Sequence, residues 1–234
     1  MRAVTAALII PALNEARALR QVLEEIPRGV FGEIIVVDNG STDDTAKVAR
    51  SAGAKVVVEH RRGYGSACLA GISALPPEAD VVVFMDADGS DLPSDADALI
   101  EPIAQDVADL VIGSRELGAA VTGSLSPHQR LGNRLAVWLV SLLYGHKYTD
   151  LGPFRAIRRS GLDRLGMRDK NFGWTIEMQI KAVQKGLRIT EAPVAYRRRQ
   201  AGQSKISGSL LGSAAAGAKI LWTVAKYAIP GDPT

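Results

Sequence analysis

Two aspartates one residue apart, Asp86 and Asp88, close the apolar run in "VVVFMDADGSDLP" (residues 81–93). In an extended segment residues i and i+2 project from the same side, so both carboxylates face one way. Such a pair repels itself unless a cation or donor lies between, and hard oxygen ligands suit Mg²⁺ or Mn²⁺. The structural alternative is an Asp88-Gly89 turn that Asp86 caps. Other reactive or hydrogen-bonding residues also follow apolar runs: Pro11-Ala12-Leu13-Asn14-Glu15, Asp38-Asn39-Gly40-Ser41, the stretch 61–65, and Gly113-Ser114-Arg115.

Those runs are the elements that must position the polar residues. Strand-like "AALIIPA", "EIIVVDN", "KVVVEH", "VVVFMD" and "DLVIGSR" alternate with helical "NEARALRQVLEEI", "STDDTAKVARSAG", "GSACLAGISAL" and "PSDADALIEPI". Ser41 reads as the N-cap of the second helix, with Asp44 three residues on, and Gly53 closes it. Short continuous apolar strands between helices predict an α/β fold, a mostly parallel sheet covered on both faces. Ligands of such sheets sit beyond the carboxyl ends of the strands, where the polar residues fall. After Arg115 a Gly- and Ser-rich loop precedes a helix from about Arg130 to Tyr144. Then come "GPFRAIRRSGLDRL", a helix in "WTIEMQIKAVQKG", a strand in "RITEAPVAYRRR" and a last amphipathic helix. No internal repeat appears, so one domain is expected over residues 1–234.

Composition narrows the function classes. Hydrophobic content of 47% and charged content of 23% are those of a globular chain, and a net charge of +3 does not mark a nucleic-acid binder. A single cysteine, Cys68, excludes an internal disulfide and suits a reducing compartment. No secretory signal is read at the N-terminus. "LAVWLVSLLY" (135–144) is half of the roughly 20 residues a spanning helix needs. "LLGSAAAGAKILWTVAKYAI" (210–229) is interrupted by Lys219 and Lys226, which share one helical face. The expectation is a soluble chain or one peripheral to a membrane. Arg197, Arg198 and Arg199 form a basic run before that last helix, suited to a solvated face or to anionic headgroups.

Two rival chemistries fit less well. "HRRGYGSA" holds a G-x-G but lacks the third glycine of a dinucleotide fingerprint. "FMDADGS" matches the D-x-D-G-[ST] nucleophile motif of haloacid-dehalogenase-type phosphatases, in which Asp86 would be phosphorylated. There the motif sits on the first strand, whereas three strand units precede it here.

The whole set resembles the family 2 glycosyltransferases of the GT-A fold, in particular the dolichyl- and polyprenyl-phosphate sugar synthases. The matching pieces are "IIPALNE", "IIVVDNGSTDDT", "GYGSACLAGI", "FMDADGSDLP", "VIGSR", "TDLGPFRAIRR" and "FGWTIEMQIKAVQKGLRITEAPVAYRRRQAGQSKIS". They run in family order from about residue 6 to 208. The resemblance implies a transferase moving mannose or glucose from a GDP- or UDP-sugar to a polyprenyl phosphate, with inversion. It also implies Mg²⁺ or Mn²⁺ and work at the cytoplasmic face of the cell membrane. A hydroxyl acceptor in solution is the first alternative, and a silent nucleotide-sugar-binding partner another. Contact with lipid would come from the two apolar helices or from a partner, either a membrane protein or a second copy.

The resemblance distributes roles. Pro11, Ala12, Asn14 and Glu15 match the nucleotide-binding turn, Asp38 the carboxylate for base or ribose, and Gly65 a close approach of backbone to donor. Asp86 and Ala87 would meet the donor, while Asp86 and Asp88 would hold the metal. Ser90 stands where the synthases often carry a glutamine ligand, so it is at most a weak third ligand. An acceptor phosphate calls for cations, and Arg115, Arg130, Arg134 and Lys205 are the candidates. Trp174 and Asp150 are assigned to the sugar. Glu177 would act as a base or orient sugar hydroxyls, which makes Asp88, Arg115 and Glu177 the catalytic candidates. Residues 1–115 form the expected donor half, 116–208 the acceptor half, and 209–234 a C-terminal helix and tail.

Overall fold

The computed structural model describes residues 4–118, 127–199 and 210–228. Its strands are β1 (Ala6–Ala12), β2 (Glu33–Asp38), β3 (Lys55–Val58), β4 (Val81–Phe84), β5 (Leu110–Ser114), β6 (Arg155–Arg158) and β7 (Ile189–Pro193). They form one sheet in the order β3-β2-β1-β4-β6-β5-β7. β6 runs antiparallel to both β4 and β5, and every other pairing is parallel. Six strands therefore bring their carboxyl ends to one rim.

Burial on both faces explains the unbroken apolar strands. Ile9, Ile35, Val37, Val82 and Phe84 belong to one core, and Leu8, Ile10, Val36, Val81 and Val83 to the other. The first core is covered by α3 (Tyr64–Ser73), α5 (Pro127–Tyr144), α6 (Arg159–Leu165), α7 (Trp174–Gln184) and α8 (Leu210–Ala228). The second is covered by α1 (Ala16–Glu25), α2 (Thr45–Ser51) and α4 (Ala96–Ala104). Leu8, Ile9 and Ile10 are fully buried, and such side chains contribute about 1.5–3 kcal/mol each. Cys68 is buried in the first core as a small apolar residue, and burial pushes its thiol up. Among the described residues no helix is long and apolar enough to cross a membrane.

One local expectation is corrected, and one stretch the sequence left unassigned is placed. α2 begins at Thr45 with Asp44 before it, and the Ser41 hydroxyl accepts from Asn14 N instead of capping that helix. "RAIR" in "GPFRAIRRSGLDRL" is the antiparallel strand β6, inserted between β4 and β5.

Candidate functional site

At the carboxyl rim lies a cavity of about 310 Å³. The turn after β1 supplies Pro11, Ala12, Leu13 and Glu15, and the segment after β4 supplies Asp86, Ala87 and Asp88. Asn39, Arg62, Gly63 and Tyr64 form another side, and Asn171, Phe172 and Arg199 close it. The half of the chain expected to serve the acceptor thus contributes three lining residues to this cavity.

The first turn is held open by its neighbour. Asn14 takes a left-handed φ of 55°, a conformation asparagine tolerates better than most residues. Its N–H donates to Ser41 Oγ (2.9 Å), its Oδ1 accepts from Thr42 N (2.7 Å), and Glu15 N donates to Thr45 Oγ1 (3.0 Å). Asp38 lies just behind, its Oδ1 accepting from Ser41 N at 2.9 Å. Asn14 and Asp38 therefore shape this turn from outside the cavity lining. Asn39 faces the cavity, its amide donating to the carbonyls of Glu59 and Arg61 and its Oδ1 accepting from Gly63 N. These bonds tie β2 to the entry of α3.

The two aspartates sit in unlike surroundings. Burial, and then the neighbouring Asp88 charge, push Asp86 up to about 7. Asp88 Oδ1 accepts from Ser90 N (2.8 Å) and from the Ser90 hydroxyl, while Oδ2 pairs with Arg199 Nη2 at 2.8 Å. Ser90 is buried outside the cavity lining and orients Asp88. Asp91 is buried too, accepting weakly from Asp86 N at 3.4 Å, and burial raises its carboxyl well above the usual range. Arg199 reaches Glu15 Oε1 as well, so one guanidinium bridges the β1 and β4 ends. The segment carrying Arg199 is fixed by an antiparallel bridge between Asp91 and Tyr196 and by Arg197 N donating to Ser90 O at 2.9 Å.

Asp86 and Asp88 offer hard oxygen ligands on one wall, a donor set that fits Mg²⁺ or Mn²⁺ with further oxygens from a diphosphate and water. Among the described residues no group of three or more His, Cys, Asp or Glu has metal-binding geometry.

Several expected site residues lie away from the cavity. Asp150 is fully buried and grips Arg115 through Oδ1 and Oδ2, both at 2.7 Å. Burial opposes the Arg115 charge, but the Asp150 pair more than offsets it. Arg115 also lies over the Tyr196 ring, 5.0 Å from its centroid. Trp174 packs edge-on against Phe84 in the core, centroids 5.9 Å apart. Glu177 is fully buried, pairing with Lys181 at 2.8 Å and accepting from Tyr227 OH at 2.7 Å. Gly65 abuts protein where the donor was expected: a Cβ there would stand 2.0 Å from the Asp169 carbonyl oxygen. Arg130 and Arg134 are exposed on α5. Lys205 lies outside the described residues.

Sequence reasoning missed Arg199 as a site residue, along with Arg62, Tyr64, Asn171 and Phe172. For Arg199 the signal was present: it follows a strand parallel to the others, so it had to emerge at the same rim.

Comparison with known proteins adds a second line of observation. The family model described as Glycosyl transferase family 2 matches residues 7–166. An uncharacterised glycosyltransferase of Mycobacterium tuberculosis is 41% identical over 207 residues, 88% of this chain and 91% of that one. An undecaprenyl-phosphate mannosyltransferase of Micrococcus luteus is 34% identical, with 88% of this chain and 89% of that one covered. Among solved structures, glucosyl-3-phosphoglycerate synthase of Mycobacterium tuberculosis, in complex with Mn²⁺, UDP and glucosyl-3-phosphoglycerate, superposes with a TM-score of 0.77. It is 25% identical and the match covers 99% of this chain and 81% of that one.

Proposed function

Since the chain belongs to glycosyl transferase family 2 and is therefore a glycosyltransferase, we propose that it moves one hexose from a nucleotide-diphosphate sugar to a polyprenyl phosphate. The observation that carries this reading is the cavity at the strand ends, lined by Asp86 and Asp88 for a divalent ion and by Arg199, paired with Asp88, for a diphosphate. The mannosyltransferase of Micrococcus luteus, whose name gives undecaprenyl phosphate, supports the acceptor class. The solved complexes with UDP and with Mn²⁺ or Mg²⁺ support the donor class and the metal.

In the proposed reaction an acceptor phosphate oxygen bonds to the anomeric carbon. The bond from that carbon to the donor diphosphate breaks, and the diphosphate leaves with the electron pair. A single displacement of this kind inverts the anomeric centre. A divalent ion bound at Asp86 and Asp88 supplies neutralisation of the charge growing on the leaving group. Pro11, Ala12 and Glu15 line the nucleotide side, with Asn14 and Asp38 shaping it. Arg199, released from Asp88, meets the phosphates, and Arg130, Arg134 and Lys205 draw the acceptor anion, while Arg115 stays paired with Asp150. A phosphate oxygen is already nucleophilic, so no strong base is required. The burial of Glu177 against Lys181 agrees with that.

The outer surface supports a lipid acceptor. Leu131, Leu135, Trp138 and Leu142 form one stripe on α5, with exposures of 70% at Leu131 and 58% at Trp138, and Trp222 on α8 is 63% exposed. Neither helix carries an acidic residue, and Arg130, Arg134 and Lys226 supply the outward charges, Lys219 being paired with Asp169. Such a face suits the cytoplasmic side of an anionic membrane. A soluble phosphorylated acceptor is the second reading, favoured by the likeness to glucosyl-3-phosphoglycerate synthase.

Incubation with labelled GDP-mannose or UDP-glucose, polyprenyl phosphate and Mn²⁺ tests the proposal. Label passing to the organic phase, lost with a chelator and regained with Mn²⁺, is the expected result. Label transferred only to water-soluble acceptors such as 3-phosphoglycerate would replace the lipid reading with the second one.

A further inference from the structure

We propose that helix α8 positions the wall of the donor pocket, with Lys219 and Tyr227 acting through Asp169 and Glu177. The inference rests on reading the cavity as a nucleotide-sugar site. The wall in question is the segment 168–173, which places Asn171 and Phe172 in the cavity lining.

Two carboxylates shape that segment, the half-buried Asp169 and the fully buried Glu177. Asp169 Oδ1 accepts from Asn171 N at 2.7 Å and from Gly173 N at 3.2 Å, folding the chain around itself. Its other oxygen, Oδ2, pairs with Lys219 Nζ of α8 at 2.8 Å. Glu177 accepts from Arg168 N at 3.0 Å and from Asp169 N at 2.7 Å, fixing the start of the wall. The same carboxylate accepts from Tyr227 OH of α8, and its partner Lys181 donates to Gly166 O, both at 2.7 Å. Each carboxylate that holds the wall is thus also held by α8, Asp169 through Lys219 and Glu177 through Tyr227.

From the opposite side the wall is pressed against α3. Ser66 N donates to Lys170 O at 3.0 Å, and the absent side chain of Gly65 lets the Asp169 carbonyl approach. The wall is therefore clamped between the helix that opens onto the pocket and the C-terminal helix. Charge-assisted hydrogen bonds are the stronger ones, and ligand contacts tolerate little displacement of the groups that make them. Loss of the Lys219 contact frees one oxygen of Asp169 and loosens the wall at Asn171 and Phe172. α8 itself stays docked, because Tyr144 OH donates to Val224 O and Gln184 Nε2 to Tyr227 O independently of Lys219.

The test uses the full chain without lipid. Binding of UDP and of GDP, each with Mn²⁺, is measured by calorimetry for the wild type, Lys219→Met, Lys219→Arg and Tyr227→Phe. For whichever nucleotide the wild type binds, Lys219→Met weakens binding about tenfold, the scale of one charge-assisted bond. Lys219→Arg restores it to within about twofold, and Tyr227→Phe gives a smaller loss in the same direction. In turnover the donor KM rises more than kcat falls. Binding by Lys219→Met as tight as wild type overturns the inference while leaving the donor site intact. A loss that Lys219→Arg does not restore, together with a lowered melting temperature, overturns it in favour of a general structural role. Wild-type protein that binds neither nucleotide removes the donor-site reading, and this inference with it.

Discussion

Both oxygens of Asp88 are engaged: Ser90 fixes one, and the Arg199 guanidinium takes the other. Asp88→Asn keeps the Ser90 bond and removes the charge a divalent ion needs. The expected result is a loss of transfer of roughly 10²–10³-fold with little change in melting temperature, read by steady-state assay at saturating Mn²⁺. Arg115 behaves differently because its partner is fully buried. Arg115→Met leaves Asp150 as an uncompensated charge in the interior, expected to cost about 3–5 kcal/mol in urea unfolding. The same contrast shows what a sequence can display at this scale. The Asp86–Asp88 pair is local, two positions apart on a strand end, so its shared direction is legible from spacing alone. Asp150 and Arg115 are 35 positions apart, and nothing in either neighbourhood announces the pair. Trp174 and Glu177 were assigned to the sugar region from the family pattern. Their placement depends on which turn of α7 faces the sheet, and that is decided by tertiary packing.

Among the elements, the parallel strands were legible because burial on both faces leaves an unbroken β-branched signature. β6 was not, because its four residues include two arginines. Arg155 is fully buried and donates to the carbonyls of Leu151 (3.3 Å) and Thr175 (3.0 Å), among others; Arg158 reaches Asp106 and Asp109. A strand whose charges are satisfied by backbone and distant carboxylates does not read as apolar. The Asp109 junction also ties β5 to β7 through Arg188, whose guanidinium and backbone N–H both donate to it. Hydrogen bonds from Arg188 hold the Asp109 carboxyl below the usual carboxylate range. A carboxyl depressed by folding contributes stability that is complete above its unfolded pKa, about 4, and lost as pH falls through the folded value. Asp109→Asn therefore lowers the melting temperature at pH 7, and its gap from wild type narrows as the pH is taken below about 4. Melting curves across that window check the sign.

On the scale of the whole molecule, the cavity and the α5–α8 stripe make up two distinct surfaces. The basic character of α8 was partly visible in the sequence, since Lys219 and Lys226 fall on one helical face, though Lys219 turns to Asp169. What the sequence did not display is that Trp138 and Trp222 are both left exposed, because that depends on how α5 and α8 pack together. Trp138→Glu adds a charge to the stripe's centre without touching the cavity. It is expected to reduce sedimentation with vesicles containing anionic lipid several-fold, with nucleotide binding unchanged.

The bridge that Arg199 makes from Asp88 to Glu15 has a thermodynamic consequence. The protein supplies its own counterion at the place where a divalent ion is expected. An ion arriving alone must compete with a guanidinium for Asp88, so its affinity is reduced by whatever that exchange costs. An ion arriving with a nucleotide diphosphate brings new acceptors for Arg199, and the competition becomes an exchange of partners. Metal and nucleotide are then expected to bind with positive cooperativity, each tightening the other by the same factor. With Asp88 as a metal ligand, the divalent ion would be selected as a complex, and the site would discriminate against metal that comes without its donor.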